Sequence, residues 1–137
     1  MNASISFSLC LGTAFAALVA CSDVSMPDRS EGRAFFSQNC TSCHGADGAG
    51  DGPLAAGLSK APPDLTALSR RNGGTFPATR ALAYIWGDPK ESHLARVMPQ
   101  FAGAMSEDLV PVELDGVLTP TPRALAGLLV YLEAIQK

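Results

Sequence analysis

The apolar positions of the chain first follow a helical period in the stretch that precedes a cluster of cysteines. Asp28 and Glu31 are spaced as the N-cap and third residue of a capping box, which predicts that a helix begins at Asp28 and continues to about Asn39. One face of this helix is marked by residues at intervals of four: Gly32, Phe36 and Cys40. This face therefore leads directly to the first cysteine of the cluster.

The end of the chain carries the clearest amphipathic pattern. Thr121 and Pro122 form a helix start, since proline is favoured in the first turn. The apolar stripe of the helix that follows is Leu125, Leu128, Leu129, Leu132 and Ile135. A shorter helix is predicted from Thr79 to Trp86, with Gly87 ending it.

The segments between these helices are less regular. Residues 45–76 are rich in Gly, Pro, Asp and Ala, with a short helix predicted after Asp64 as its cap. So long a weakly structured stretch would normally count against a compact domain. Asp115 and Gly116 form a two-residue turn between short apolar runs, which predicts a hairpin within the segment from Val112 to Pro120.

The first twenty residues are typical of an export leader. Ile5 to Ala20 is an apolar run of about sixteen residues, and no charged side chain precedes Asp23. A retained membrane anchor is the alternative, but a spanning helix needs roughly twenty apolar residues. We expect residues 1–20 to be a signal peptide.

The four residues from Leu18 to Cys21 resemble the lipobox of bacterial lipoproteins, in which the cysteine receives a diacylglycerol before the leader is removed. This resemblance implies lipidation of Cys21, a tether over residues 21–27 and one domain over residues 28–137. Several acyl chains would hold such a protein durably on a membrane. The alternative is ordinary cleavage after Ala20, which would leave a soluble protein with a free Cys21.

Composition and charge restrict the partners. The chain has 137 residues, a formal net charge of −3 and a pI near 5.2, and it has no run of Lys or Arg to pair with phosphates. We therefore expect no nucleic-acid partner. The four cysteines lie in the leader, at its end and in one motif, so the sequence predicts no disulfide: Cys10, Cys21, Cys40 and Cys43.

The residues from Cys40 to His44 read Cys-Thr-Ser-Cys-His, the motif of covalent c-type haem attachment. Two thiols at this spacing can each add to a vinyl group of one porphyrin, and the adjoining imidazole can bind the iron. A thioredoxin-like redox site would require a βαβ context, and a structural zinc site would require a second Cys/His pair. The sequence has neither feature, so we predict one covalent haem c with its iron.

With these residues in place, the chain resembles a class I, mono-haem cytochrome c over essentially all of its mature length. The similarity extends to Leu128 and Tyr131, which look like the pair that packs against the glycine and aromatic residue of the first helix. It implies an all-α fold of three to five helices around the haem, with the N- and C-terminal helices crossing. It also implies that Pro53, after Gly52, orients the axial histidine through its carbonyl.

The resemblance implies His44 as the proximal ligand of the iron and Met98 as the distal ligand. Pro99 biases Met98 toward an extended conformation, so its thioether would project from the backbone. The alternatives are Met105, Met26 and, as a bis-histidine variant, His93. Thioether ligation favours ferrous iron and raises the reduction potential, whereas a second imidazole lowers it.

The expected function is single-electron transfer between redox partner proteins in the bacterial periplasm, by a protein that is tethered to a membrane and is not an enzyme. A six-coordinate iron has no free position for a substrate. Two alternatives remain open at the level of sequence. One is a fixed haem subunit of a larger oxidase or dehydrogenase, and the other is a peroxidase or gas sensor in which Met98 leaves the iron.

Overall fold

A computed structural model of the chain describes residues 25–87, 98–101 and 108–137. These residues form short helices and one hairpin around a small apolar core. The helices are α1 Arg29–Asn39, α2 Thr41–His44, α3 Leu68–Arg71, α4 Ala78–Trp86 and α5 Arg123–Ala134. The hairpin consists of β1 Leu109–Leu114 and β2 Val117–Pro122, and two 3-10 turns lie at Ala55–Gly57 and Leu65–Ala67.

The start of α1 confirms the capping box that the sequence predicts. The Asp28 side chain accepts hydrogen bonds from the backbone N–H groups of Ser30 (2.8 Å) and Glu31 (3.0 Å). The Glu31 carboxylate accepts in return from the backbone N–H of Asp28 at 2.8 Å. These bonds satisfy donors that have no partner within the helix, so they fix where α1 begins.

Helices α1 and α5 pack against each other through two glycines. A Cβ atom on Gly32 would overlap the carbonyl of Gly127 and lie 2.8 Å from the Tyr131 Cβ. The rings of Phe36 and Tyr131 meet one turn further along, with centroids 5.1 Å apart. The predicted helix crossing and the role of Tyr131 are confirmed. The residue that faces Gly32 most closely is Gly127, whereas Leu128 lies in the core cluster beside it.

The core lies between α1, α4 and α5. Its buried residues are Phe36, Ile85, Leu125, Leu128, Tyr131 and Leu132. The predicted stripe on α5 supplies half of this cluster, and Ile135 packs against its edge. The hydrophobic pattern thus identified both the helices and the faces that they bury.

The predicted hairpin is present, but its strands are longer than the sequence indicated. Asp115 and Gly116 form the turn with positive φ angles of 50° and 82°. The antiparallel register places Leu114 opposite Val117 and Pro111 opposite Pro120. The fold is therefore helical with one two-stranded sheet inserted before α5.

Some predictions fall on residues that the structure does not describe. They are the signal peptide over residues 1–20, the lipidated Cys21, and the alternative ligands His93 and Met105. These remain predictions. In the described ranges, no helix is both long enough and apolar enough to cross a membrane.

Candidate haem-binding site

The Cys40–His44 motif forms a tight helical turn at the end of α1. The Cys40 N–H donates to the Phe36 carbonyl at 2.9 Å, so the motif continues directly from the buried face of α1. The His44 N–H donates to the Cys40 carbonyl at 2.9 Å. The single turn holds both thiols and the imidazole on one short segment, as attachment to one porphyrin requires.

The glycine-rich loop after the motif folds back onto it. The N–H of Gly50 donates to the His44 carbonyl at 2.8 Å, and the N–H of Gly52 donates to the Cys43 carbonyl at 3.1 Å. The N–H of Leu54 donates to the Ser42 carbonyl at 2.8 Å. A Cβ on Gly52 would lie 2.5 Å from the Ser42 carbonyl oxygen, so only glycine fits this approach. The loop thereby satisfies the free carbonyls of the motif turn.

The His44 side chain is buried, with 7% of its surface exposed. Burial lowers the pKa of His44 below its usual value because the imidazolium form loses its hydration, while the backbone carbonyl of Pro63 acts in the opposite direction. A neutral imidazole is the form that binds a metal. The site therefore holds this histidine ready for coordination.

The backbone carbonyl that acts on His44 is that of Pro63, and the role of Pro53 stays a prediction. Pro53 is exposed and follows Gly52, whose N–H is turned inward to the motif, whereas the chain returns to the imidazole at Pro63. The His44 Nδ1 atom is fully buried and has no hydrogen-bond partner among the described residues. The Pro63 carbonyl thus acts on the ring as a nearby dipole, without a formed hydrogen bond at Nδ1.

The two motif cysteines are free thiols and half-buried. Burial, and secondarily the neighbouring Cys43, raises the pKa of the Cys40 thiol to about 11. Redox-active Cys-x-x-Cys sites instead have a thiol with a lowered pKa. The environment of Cys40 therefore argues against a thioredoxin-like function and agrees with a structural use of the thiols.

Met98 lies in a short segment that is fixed against two helices. The Phe101 N–H donates to the Ile85 carbonyl at the end of α4 (3.1 Å), and the Phe101 ring meets Phe35 of α1 edge-on at 6.0 Å between centroids. Met98 itself is partly buried and packs against the same core cluster as Cys40. The other described methionine, Met26, is 50% exposed near the start of α1.

The surroundings of the motif fit a porphyrin. Partly buried apolar side chains border the core: Phe35, Cys40, Leu65, Phe76, Leu82, Met98, Phe101 and Ile135. Within the described ranges, no group of three His, Cys, Asp or Glu residues is arranged to hold a bare metal ion. One buried imidazole, two adjacent thiols and an apolar border are the donor set of a haem rather than of a zinc site.

Comparison with known families agrees with this geometry. A family model described as Cytochrome c matches residues 30–111, more than half of the chain. The chain belongs to the cytochrome c family. Cytochrome c proteins carry a covalently bound c-type haem with iron, so the cofactor predicted from Cys40, Cys43 and His44 is confirmed at that level. No match is found among curated proteins or among solved structures.

The roles of two residues of this cytochrome c, Pro63 and Gly127, were not predicted from the sequence. Pro63 precedes Asp64, whose cap on the next 3-10 turn is confirmed by a 2.8 Å bond from the Thr66 N–H. Pro63 and the capping residue Asp64 are neighbours in the sequence. Nothing in the sequence, however, shows that the loop returns to His44 at this proline. Gly127 sits four residues before Tyr131, and that spacing, matching Gly32 and Phe36 on α1, is the signal for the close approach of the helices.

Proposed function

We propose that this cytochrome c is a membrane-tethered electron carrier whose iron is bound by His44 and Met98. The observation that carries the proposal is the placement of Met98, which is fixed through Phe101 against α1 and α4 and borders the same core as Cys40. When bound, a haem supplies a one-electron couple at its iron. With His44 and Met98 both bound to the iron, a substrate would have no direct access to the metal.

Each site residue has a distinct task in this proposal. The thiols of Cys40 and Cys43 hold the porphyrin through thioethers, which prevents its loss outside the cytoplasm. His44 binds the iron from one side as a neutral imidazole. The Pro63 carbonyl acts on the imidazole and is suited to accept a hydrogen bond from its N–H group. Such a bond would orient the ring and raise its basicity.

The setting of the protein also belongs to the proposal. Lipidation at Cys21 would anchor the domain to a membrane on the periplasmic side, and the partners would be redox proteins that meet it briefly. The net charge of −3 supports partners with a basic contact surface. We do not assign enzymatic activity, since the proposed ligand pair occupies the iron.

A fixed subunit of an oxidase or dehydrogenase is the second candidate, and the hairpin tip favours it. Val117 and Leu118 are 64% and 67% exposed. A groove of about 460 Å³ is lined in part by Trp86 and by Leu114, which pairs with Val117. Exposed apolar patches mark protein contacts. If this candidate is correct, wild-type protein will purify with stoichiometric partner chains, and the double change Val117→Ser, Leu118→Ser will release them.

The axial ligand is tested by the absorption spectrum of the oxidised holoprotein. We expect the weak long-wavelength band of sulfur-to-iron charge transfer in the wild type and its loss in Met98→Ala. Met26→Ala is the matched control and should retain the band. Absence of the band in the wild type, or its persistence in Met98→Ala, would exclude Met98 as the ligand.

Carbon monoxide distinguishes the carrier from the remaining alternative. We expect the reduced wild-type protein to bind the gas slowly or not at all, because Met98 holds the distal position. Met98→Ala should bind it readily. Rapid binding by the wild type would favour a peroxidase or gas sensor.

A further inference from the structure

We infer that the surface at which the tether leaves the domain lies on the lipid bilayer, so that the anchored protein has one orientation with its haem motif directed away from the membrane. The inference rests on the lipidation of Cys21 in the proposed function. The surface, called the tether-exit surface here, consists of Ser25, Met26, Asp108, Leu109 and Arg123.

Arg123 fixes this surface. Its Nη2 group donates to the carbonyl of Ser25 at 2.6 Å, and its Nε group donates to the Asp108 carboxylate at 2.9 Å. Its backbone N–H also donates to the Asp108 carbonyl at 2.8 Å, while Glu31 lies 3.9 Å from its Nη1. One half-buried guanidinium therefore ties Ser25 of the tether to the starts of α1, β1 and α5.

The tether is too short to let the domain turn freely. Four residue steps separate Cys21 from Ser25, and a fully extended chain covers at most about 3.6 Å per residue, or about 14 Å in total. A lipid on Cys21 therefore places the bilayer within that distance of Ser25. Because Arg123 holds Ser25 to the domain, the restriction applies to the domain as a whole.

The residues beside the tether suit an interface with lipid. Met26 and Leu109 are 50% and 52% exposed, and each directly follows a residue that Arg123 binds. Apolar side chains next to a lipid anchor gain free energy by entering the boundary between headgroups and acyl chains. The acidic groups of Asp108 and Glu31 are paired with Arg123, which reduces their repulsion from anionic lipid.

The haem motif lies at the other end of α1. The helix has 11 residues and a rise of about 1.5 Å per residue, so about 16 Å separates the tether-exit surface from Cys40. The C-terminal end of α5 also lies near the motif loop, since a Cβ on Gly48 would be 3.2 Å from Ile135. Contact of the tether-exit surface with lipid thus leaves the motif loop open to partners.

Amide hydrogen exchange of the lipidated holoprotein in phosphatidylethanolamine–phosphatidylglycerol vesicles tests the inference. The reference is the full mature chain with Cys21→Ser, exported without lipid. We expect exchange to slow several-fold at residues 26–29 and 108–111 in the vesicles, with no change at residues 46–54. The double change Met26→Ser, Leu109→Ser should abolish the slowing at 108–111.

The matched control is Val117→Ser, Leu118→Ser, which removes an equally apolar pair from the far end of the hairpin and should leave the protection unchanged. Protection of residues 46–54 or of the hairpin tip, or no protection at residues 108–111, overturns the inference. If the inference fails in this way but the mass of the protein still includes acyl chains and haem, the proposed function stands. A mass that shows unmodified Cys21 overturns both the anchor and the inference, while the haem spectrum reports separately on electron transfer.

Discussion

At the scale of single residues, Asp28 shows how a local signal becomes a measurable property. The Ser30 hydroxyl and the backbone N–H groups of Ser30 and Glu31 donate to its carboxylate, and these bonds lower the pKa of Asp28 below 3.8. A lowered folded-state pKa contributes stability above the unfolded-state pKa, and this contribution disappears as the pH falls through the folded-state value. The cap of α1 should therefore weaken in acid.

The prediction compares Asp28→Asn with the wild type. Asparagine retains the cap geometry but does not titrate, so the variant should melt at a lower temperature than the wild type at pH 7 and at nearly the same temperature near pH 2. Thermal unfolding of the holoproteins, followed by circular dichroism, measures both differences. A difference that is constant from pH 7 to pH 2 would show that the charge of Asp28 does not act on the cap.

Two glycines, Gly57 and Gly116, allow the energetic effect of backbone conformation to be distinguished from that of side-chain packing. Gly57 and Gly116 both have open space where a Cβ would stand, but only Gly116 has a positive φ, of 82°. We expect Gly116→Ala to lower the free energy of unfolding by about 1 kcal/mol, since a left-handed conformation costs an L-residue roughly 1–2 kcal/mol. Gly57→Ala should be neutral or stabilising by up to about 1 kcal/mol.

Urea denaturation of the two holoprotein variants measures these values. Equal effects of Gly57→Ala and Gly116→Ala would contradict the assignment of the Asp115–Gly116 turn. Its conformation could be predicted from the sequence, because an Asp-Gly pair between apolar runs specifies this turn by itself.

At the scale of elements, the crossing of α1 and α5 depends on direct contact between the backbones of the two helices. A Cβ on Gly32 meets the Gly127 carbonyl, which cannot move aside, whereas a Cβ on Gly127 would lie 3.2 Å from the Gly32 nitrogen. We expect Gly32→Ala to cost about 3 kcal/mol or more, at the upper end of overpacking, and Gly127→Ala to cost distinctly less. Denaturant unfolding of both holoproteins checks the order, and a reversed order would contradict the crossing geometry.

The sequence predicted what local signals and hydrophobic period determine. The limits of α1, the stop of α4 at Gly87 and the stripe of α5 were all readable because each is specified within a few residues. The effect of the Pro63 carbonyl on His44 was not predicted, for a different reason. Which carbonyl reaches His44 depends on how the whole loop from Gly45 returns to the motif, and that path is set by contacts distant in sequence.

At the scale of the whole molecule, the buried core is small, and Cys40 of the motif packs against it. Several apolar side chains at its border are only partly buried, including Phe35, Phe76 and Phe101. We expect the porphyrin of this cytochrome c to cover these side chains. The folded state should therefore depend on the covalent cofactor.

The prediction is that Cys40→Ser, Cys43→Ser, produced in a cell able to attach haem, will lack covalent chromophore and lose much of its helical circular dichroism. The reason is that the remaining core cannot offset the ordering of the loop over residues 45–76. Ser37→Ala, on the exposed side of α1, is the control and should retain both signals. A double variant with wild-type helicity would show that the polypeptide folds without its cofactor.

The prolines of the hairpin have a consequence for the self-association of this protein. Pro111 and Pro120 face each other, and Pro122 pairs with Leu109. Since proline has no N–H to give, these pairs are the ones whose nitrogens point outward, away from the neighbouring strand. Each edge of the ribbon thus lacks at least one of the donors that a foreign strand would need, which disfavours edge-to-edge polymerisation.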